Sequence, residues 1–262
     1  MTPSKGPPLG RQVWVIWRGE TQEIRFAINR GMRDITLVMI RHSKSCANHL
    51  REIAGTHDKA HPLVAASQRL SDPALTAHGA AMARAYGPRL RQILATHGVD
   101  LVAPTTLIGS SGLRRARETA ELLFPTTTGR TAHLPHIKEF GDIPENTPVR
   151  SRRCRPDFRA FLRHLHELPP TIDTVICVAH GSFLRSEIWP TVAPGRGHRR
   201  FGNLDALLVR TGLTADGRLL APRTTDLPWR GRHPTTQDRC SRRVERLVDR
   251  HRCRTQKKRR DK

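Results

Sequence analysis

Ile35 to Ile40 form a run of six residues that are apolar or favour β-structure. Such a run is too short for a buried helix and is typical of a strand that is covered on both faces, as in a parallel sheet. Thr174 to Ala179 shows the same pattern, and Leu204 to Val209 predicts a further strand. Thr105 to Gly109 predicts a shorter strand, and His133 to Ile137 a weaker one.

Between these runs, apolar residues recur at helical spacing. The longest such pattern follows Thr76, a residue that can cap a helix, and should end near Gly98. Alternating strands and helices predict an α/β fold with a mostly parallel sheet. Other predicted segments are a helix at Ser45 to Ala54, a polar loop at Gly55 to Leu70, a helix that Ser110 or Ser111 caps, and a helix at Pro156 to Leu168.

The chain carries a formal net charge of +23, with 39 arginines against 7 lysines. This excess either attracts polyanions or reflects a compositional bias toward arginine. Residues 230–262 hold 14 basic and 4 acidic residues, a net charge of +10, and end in the basic run Lys257 to Arg260. Nucleic acid or another polyanion is therefore one predicted partner of this segment, and a basic run of this kind also occurs in nuclear-localisation signals.

Other compositional features argue for an intracellular protein. No apolar run approaches the roughly 18 residues that a membrane span needs, and the short N-terminal run lacks the length of a secretory signal. Five widely spaced cysteines argue against a disulfide framework and for a reducing compartment. We expect a cytoplasmic or nuclear location and no membrane partner. The His and Cys residues near the C-terminus fit no common zinc spacing, so we expect no metal.

Three of the predicted strand ends deliver basic or nucleophilic side chains. The first strand runs into Arg41 and His42, the second leads to Arg115 on the following helix, and the third ends at His180. Parallel strands present their carboxyl ends at one edge of the sheet, where open α/β sheets bind ligands. Two arginines can clamp a phosphoryl group bidentately, and a neutral imidazole can attack phosphorus, so the pattern predicts a phosphate site.

The ordered motifs resemble the histidine phosphatase superfamily, in the branch that contains the cofactor-dependent phosphoglycerate mutases. The resemblance covers about residues 34–210. It implies a three-layer α/β/α sandwich with a mostly parallel central sheet. The residues that carry it are Arg41-His42, Ser45, Asn48, Leu75-Thr76, Gly79, Ser111, Leu113, Arg115-Ala116, Thr119-Ala120 and His180-Gly181.

The resemblance also implies roles for single residues. His42 would be the phosphorylated nucleophile, Arg41 and Arg115 phosphate clamps, and His180 a partner of the transferring phosphoryl group. Asn48 and Gly181 would line the phosphate pocket, and Glu139 would protonate the leaving group. Asp142 and Glu145 are rivals for that last role.

Two residues depart from the family pattern, because Ser43 and Lys44 stand where glycine and then glutamate or glutamine are usual. Serine would be strained if the position required a positive φ. Lys44 adds a positive charge that could hold a phosphate, or a carboxylate elsewhere on the substrate. These departures bear on the rate and the substrate more than on the fold.

We therefore expect a metal-independent phosphomonoester hydrolase without a cofactor, acting on a small phosphorylated substrate or a phosphoprotein. Its expected organisation is an N-terminal extension with a short hairpin (1–33), a catalytic domain (34–228) and a basic tail (229–262). The hairpin would pair Val13 to Trp17 with Ile24 to Ile28 at the sheet edge; a poorly structured extension is the alternative. Alternative functions are a mutase-type phosphotransferase and a catalytically weak polyanion-binding protein. The sequence does not indicate an oligomeric state.

Overall fold

The computed structural model describes residues 13–17, 20–24, 31–70, 72–125, 132–134, 157–227 and 239–260. Each predicted strand of the main sheet overlaps an observed one, although residues 135–137 of the weaker prediction lie outside the described residues. One further strand extends the sheet past the last of them. The strands are β1 (Val13–Trp17), β2 (Glu20–Ile24), β3 (Arg33–Arg41), β4 (Thr106–Ser110), β5 (Ala132–His133), β6 (Thr174–Ala179), β7 (Ala206–Leu213) and β8 (Leu219–Leu227).

The main sheet has six strands in the order β5-β4-β6-β3-β7-β8. Strands β5, β4, β6 and β3 are parallel, whereas β7 pairs antiparallel with β3 and β8 antiparallel with β7. The α/β class and the mostly parallel sheet are thus confirmed. Strand β7 is antiparallel to β3 within this mostly parallel sheet, a direction that its apolar residues do not indicate, because they report burial only.

Helices connect and flank these strands. The predicted loop at 55–70 instead contains a helix that begins with proline, a residue preorganised for the first helical position. The helices are α1 (Cys46–Ala54), α2 (Pro62–Gln68), α3 (Ala77–Thr96), α4 (Arg114–Leu123), α5 (Phe158–Glu167), α6 (Gly181–Phe183), α7 (Trp189–Val192) and α8 (Arg242–Arg260), with a π-helical turn, Leu184–Ile188, between α6 and α7.

The three-layer architecture follows from the alternation of side chains along β3. Leu37 and Met39 pack on one face with the side chains of α5 to α7, and Val38 and Ile40 pack on the other face with α3 and α4. A strand exposes alternate residues to opposite faces, so a fully apolar strand requires cover on both sides. The α/β/α sandwich is the arrangement that supplies it.

Helix α8 lies in the predicted basic tail, residues 229–262. Its Val244 and Val248 are buried in a small cluster with residues of α1 and α2. A disulfide between Cys46 and Cys240, with Cα atoms 5.8 Å apart, joins the start of α1 to the residues before α8. The sequence argument against disulfides is therefore wrong for this pair, because spacing along the chain does not report distance in the fold.

The N-terminal strands form a separate two-stranded sheet rather than adding to the edge of the main sheet. Val13 to Trp17 pairs antiparallel with Glu20 to Ile24, so the second strand comes earlier than expected. Most of the predicted second run, residues 25–28, lies outside the described residues. Within the part of the chain that the structure describes, no helix is long and apolar enough to cross a membrane.

Candidate active site

Strand register brings two predicted site residues side by side. In the parallel pair β3 and β6, Arg41 lies opposite Ala179, so each strand is followed directly by a histidine, His42 or His180. Both histidines are buried, and their ring centroids are 5.2 Å apart in an edge-to-face arrangement. The predicted convergence of these two residues is therefore present.

The third parallel strand, β4, brings Arg115 to the same place. Ser110, the last residue of β4, pairs with Val178, which lies one residue before the end of β6. Helix α4 begins a few residues after Ser110. Arg115 is 2 % exposed, and its Nε donates a hydrogen bond to Nε2 of His42 over 3.3 Å. A cation that is permanently charged thus lies against the ring nitrogen of a neighbouring imidazole.

The hydrogen bonds of His42 define its tautomer. Nδ1 lies 2.6 Å from the backbone carbonyl oxygen of Ser43, which can only accept, so Nδ1 carries the proton. The neutral ring then has its lone pair on Nε2, the atom that faces Arg115. A lone pair held beside a guanidinium is well placed to attack an anionic electrophile that the same guanidinium binds.

Burial keeps both imidazoles neutral. It is the main cause that holds the pKa of His42 well below the usual value of histidine, and the positive charges of Arg115 and Arg41 act in the same direction. The pKa of His180 is likewise lowered, by burial first and then by His42 and the two arginines. At neutral pH the site therefore offers two neutral imidazoles within a positive field, the state that a nucleophilic histidine requires.

Arg41 and Gly181 fit together sterically. The guanidinium of Arg41 donates from Nη1 to the carbonyl oxygen of Phe201, which directs the side chain along the sheet edge. A Cβ atom at Gly181 would lie 3.0 Å from Nε of Arg41. Glycine at 181 therefore leaves room for the arginine side chain beside His180.

Ser43 is accommodated without strain. Among the described residues only Leu204 and Ala221 are non-glycine residues with positive φ, so Ser43 adopts an ordinary backbone conformation. Its N–H donates to Oγ1 of Thr119 over 3.0 Å, and its hydroxyl donates to the carbonyl oxygen of Gly79 over 2.7 Å. The serine thus ties the loop after His42 to α4 and to the first turn of α3.

Asn48 lies on α1 beside this loop. Its Oδ1 accepts hydrogen bonds from the backbone N–H and the hydroxyl of Ser45, the N-cap of the helix. Asn48 also lines a cavity of about 940 Å³ together with Arg41 and Lys44. Lys44, which precedes α1, forms an ion pair with Glu52 on that helix. The structure therefore places Asn48 and the unusual Lys44 on the wall of a cavity that Arg41, the residue before His42, also lines.

The sequence did not predict the contacts that Ser111 and Asn203 make at this site. Oγ of Ser111 lies 2.6 Å from Nε2 of His180, and Nδ2 of Asn203 donates to the carbonyl oxygen of His42 over 3.1 Å. Ser111 belongs to the motif that carried the resemblance, but it was expected to cap α4. That expectation is wrong, since the helix begins later, with Leu113 at the N-cap, and Asp72 accepts from the N–H of Arg114. Asn203 had no signal in the sequence beyond its place before a strand.

Glu139 and its two rivals, Asp142 and Glu145, lie outside the described residues. The role of proton donor therefore stays a prediction. The described residues contain no group of three or more His, Cys, Asp or Glu side chains that could hold a metal ion. The reactive groups that the described residues bring together at this edge of the sheet are two imidazoles and two guanidiniums.

A sequence model described as "Histidine phosphatase superfamily (branch 1)" matches residues 37–172 of this chain, more than half of its length. The matched segment contains His42, Asn48 and Arg115 and ends before β6. No curated protein sequence matches the chain.

Solved structures of phosphatases are similar to the chain at low identity. The protein histidine phosphatase SixA complexed with tungstate is 16 % identical, with 74 % of this chain and 95 % of that chain covered and a TM-score of 0.43. A mycobacterial glucosyl-3-phosphoglycerate phosphatase is 19 % identical, with 74 % and 98 % covered and a TM-score of 0.42. A phosphoserine phosphatase from Entamoeba histolytica, in complex with 3-phosphoglyceric acid, is 17 % identical, with 75 % and 98 % covered and a TM-score of 0.42.

Proposed function

Because the chain belongs to the histidine phosphatase superfamily, we propose that it is a metal-independent phosphomonoester hydrolase that acts through a phosphohistidine on His42. The observation that carries the proposal is the buried, neutral His42, whose Nε2 lone pair lies against Arg115. Arg41 and Arg115 would bind the phosphoryl oxygens and neutralise their charge throughout the reaction. Asn48 and Gly181 would complete the phosphate pocket with His180.

In the first step, Nε2 of His42 attacks phosphorus and the bond from phosphorus to the ester oxygen breaks. Glu139 would protonate that oxygen, so a neutral alcohol leaves. In the second step, water attacks phosphorus, the P–N bond breaks, and the proton of the water passes to the Glu139 carboxylate. Inorganic phosphate leaves, and both side chains return to their starting states. Two moderate barriers replace one high barrier, which is the advantage of covalent catalysis.

Hydrolysis of an aryl phosphate in the presence of a metal chelator tests the proposal. The wild type should release phosphate, and His42→Ala should lose essentially all of this activity. The exposed residue His198 supplies the control variant His198→Ala, which should retain full activity. Equal activity of wild type and His42→Ala, or full inhibition by the chelator, would refute the mechanism.

The proton donor is tested by comparing leaving groups. An aryl alcohol leaves readily without protonation, whereas an alkyl alcohol needs the acid. Glu139→Gln should therefore reduce kcat on an alkyl phosphate far more than on an aryl phosphate. The same selective loss in Asp142→Asn or Glu145→Gln, with Glu139→Gln unaffected, would move the role to that residue.

The alternative of a mutase makes a different prediction about the fate of the phosphoryl group. A mutase returns it to an alcohol and needs a bisphosphorylated primer to keep its histidine phosphorylated. Reaction in water labelled with ¹⁸O distinguishes the two, because hydrolysis incorporates label into the released phosphate. Primer-dependent transfer without labelled phosphate would favour the mutase.

Helix α8 is the feature that favours polyanion binding as a second function. Its apolar residues Val244 and Val248 are buried, while its arginines at 242, 243, 246, 250 and 252 are exposed. Deleting the segment would remove the disulfide and uncover the apolar cluster, so charge removal is the cleaner test. Arg246→Gln with Arg250→Gln should weaken binding of a DNA oligonucleotide and reduce its salt dependence. Unchanged binding by this double variant would exclude α8 as the contact.

A further inference from the structure

The cavity that Arg41 and Asn203 line is large for a site that holds only a phosphoryl group. Its volume of about 940 Å³ lies at the upper end of the roughly 300–1,000 Å³ of small-molecule sites. Arg41, which directly precedes the reactive histidine, and Asn203, whose side chain bonds the carbonyl oxygen of His42, both line it. The cavity therefore has room for the rest of a substrate whose phosphoryl group lies at His42.

Two further cations line this cavity on the side of α1. Lys44 and Arg51 are both part of its wall, with His57 and His78 nearby. The charge of Arg51 contributes to the lowered pKa of His42, which shows that the two groups lie within electrostatic reach of each other. These cations are additional to Arg41 and Arg115, the two arginines that the proposed hydrolysis assigns to the phosphoryl group.

The backbone holds Lys44 at its position. Its carbonyl oxygen accepts a hydrogen bond from the backbone N–H of Thr76 over 3.0 Å. A Cβ atom at Gly79 would lie 2.1 Å from the same oxygen, so the loop and the start of α3 are in close contact. The side chain of Lys44 is only 16 % exposed, which indicates that it lies along the cavity wall rather than in solvent.

Arg51 is anchored as well, because its Nε donates to Oγ of Ser67 over 3.0 Å. Lys44 forms an ion pair with the carboxylate of Glu52, whose side chain is 65 % exposed. An exposed carboxylate contributes little to such a pair, so an anion on a substrate can displace it at small cost. The acidic Asp205, also on the wall, is engaged by the N–H of Gly202 over 2.6 Å.

We propose that Lys44 and Arg51 form a second anion subsite, and that the favoured substrates are small phosphomonoesters that carry a further phosphate or carboxylate group. The role of this subsite in selecting substrates rests on the proposed hydrolysis at His42. Both kinds of second anion present oxygens that lysine and arginine bind through charge-assisted hydrogen bonds.

The test uses matched substrates that differ only at the end remote from the scissile phosphate. Alkyl monophosphates of three to six carbons, ending in a hydroxyl, a carboxylate or a second phosphate, cover the unknown spacing. At the best chain length, kcat/KM should be at least tenfold higher for an anionic end than for the hydroxyl. The carboxylate and phosphate arms show which second anion the subsite prefers.

Variants assign that preference to the subsite. Lys44→Gln should reduce the ratio of anionic to hydroxyl-ended kcat/KM about tenfold, Lys44→Arg should retain it, and Glu52→Gln should raise it. The exposed Lys59 supplies the control, since Lys59→Gln removes the same net charge and should leave the ratio unchanged. No preference at any chain length, or an equal effect of Lys44→Gln and Lys59→Gln, would overturn the proposal.

The outcomes for the two proposals are separable. If the wild type hydrolyses an aryl phosphate but shows no preference for an anionic end, the subsite is wrong and the hydrolase stands. If the wild type hydrolyses nothing, calorimetric binding of the bisphosphate and the hydroxyl-ended monophosphate still measures the subsite. Tighter binding of the bisphosphate that Lys44→Gln abolishes would support it, and equal binding of the two would refute it.

Discussion

Lowering the pH should destabilise this protein through the two buried histidines. In the folded state the pKa of both His42 and His180 lies well below the usual histidine value, so both rings stay neutral there. In the unfolded chain they titrate near pH 6.5. As the pH falls below 6.5, the unfolded state takes up protons that the folded state does not, and unfolding becomes more favourable. The contribution of the two neutral histidines to stability is therefore present above pH 6.5 and is lost as the pH falls below that value.

The magnitude follows from linkage. One histidine that stays neutral when folded and titrates at pH 6.5 when unfolded contributes a loss of about 1.4 kcal/mol between pH 7.5 and pH 5.5. For His42 and His180 together the expected loss in the free energy of unfolding is on the order of 3 kcal/mol. Carboxylates contribute little in this window because most of them titrate below it.

Urea denaturation at the two pH values, in a buffer without phosphate, measures this loss. Phosphate must be absent, since an anion bound at the arginines would raise the pKa of both rings. His42→Gln and His180→Gln should each reduce the pH-dependent loss by about half, whatever their own effect on stability. A loss that is the same in wild type and in both buried-site variants would refute the reasoning.

Three further predictions concern contacts around the site. Gly79→Ala places a Cβ atom 2.1 Å from a backbone carbonyl oxygen and should lower the free energy of unfolding, measured by urea denaturation, by about 2–3 kcal/mol. The control Gly197→Ala, whose Cβ atom would have nothing within 4 Å, should be near neutral. Equal stabilities of the two variants would contradict the close approach at Gly79. Reducing the disulfide between Cys46 and Cys240, which are 194 residues apart, should lower stability by about 2–5 kcal/mol, and an unchanged thermal transition under reductant would contradict the pairing. Thr119→Val leaves the backbone N–H of Ser43 without its acceptor and should lower the free energy of unfolding by about 1–3 kcal/mol in the same urea assay. We also expect a fall in kcat. Full stability of this variant would show that the hydrogen bond is dispensable.

Much of the local structure could be predicted from pattern alone. Thr174 to Ala179 is a strand with the predicted ends, and Thr76 caps α3 through its bond to the N–H of Gly79. Both depend on neighbours in the sequence, since burial on two faces requires a continuous apolar run and a cap requires a hydroxyl before the first turn. The short helix α2 was missed although Pro62 marks its start, because its apolar run is brief and lies between polar residues.

The meeting of His42, Arg115 and His180 was predicted, but its geometry was not. The sequence determined that each of them follows an apolar strand, and parallel strands place such residues at one edge of the sheet. The 3.3 Å contact between Arg115 and His42, by contrast, depends on which residues of neighbouring strands lie opposite each other. Register is a property of two segments that pack together, and a single segment does not contain it.

Tertiary structure alone decided the antiparallel direction of β7, the disulfide from Cys46 to Cys240 and the burial of Val244 on α1 and α2. It also placed Lys44 and Arg51 on the wall of one cavity with Arg41. Periodicity along the chain reports which residues favour burial, because that preference depends on each side chain and its neighbours. Which distant segments bury one another depends on the total packing free energy of the folded chain, and only the fold contains that information.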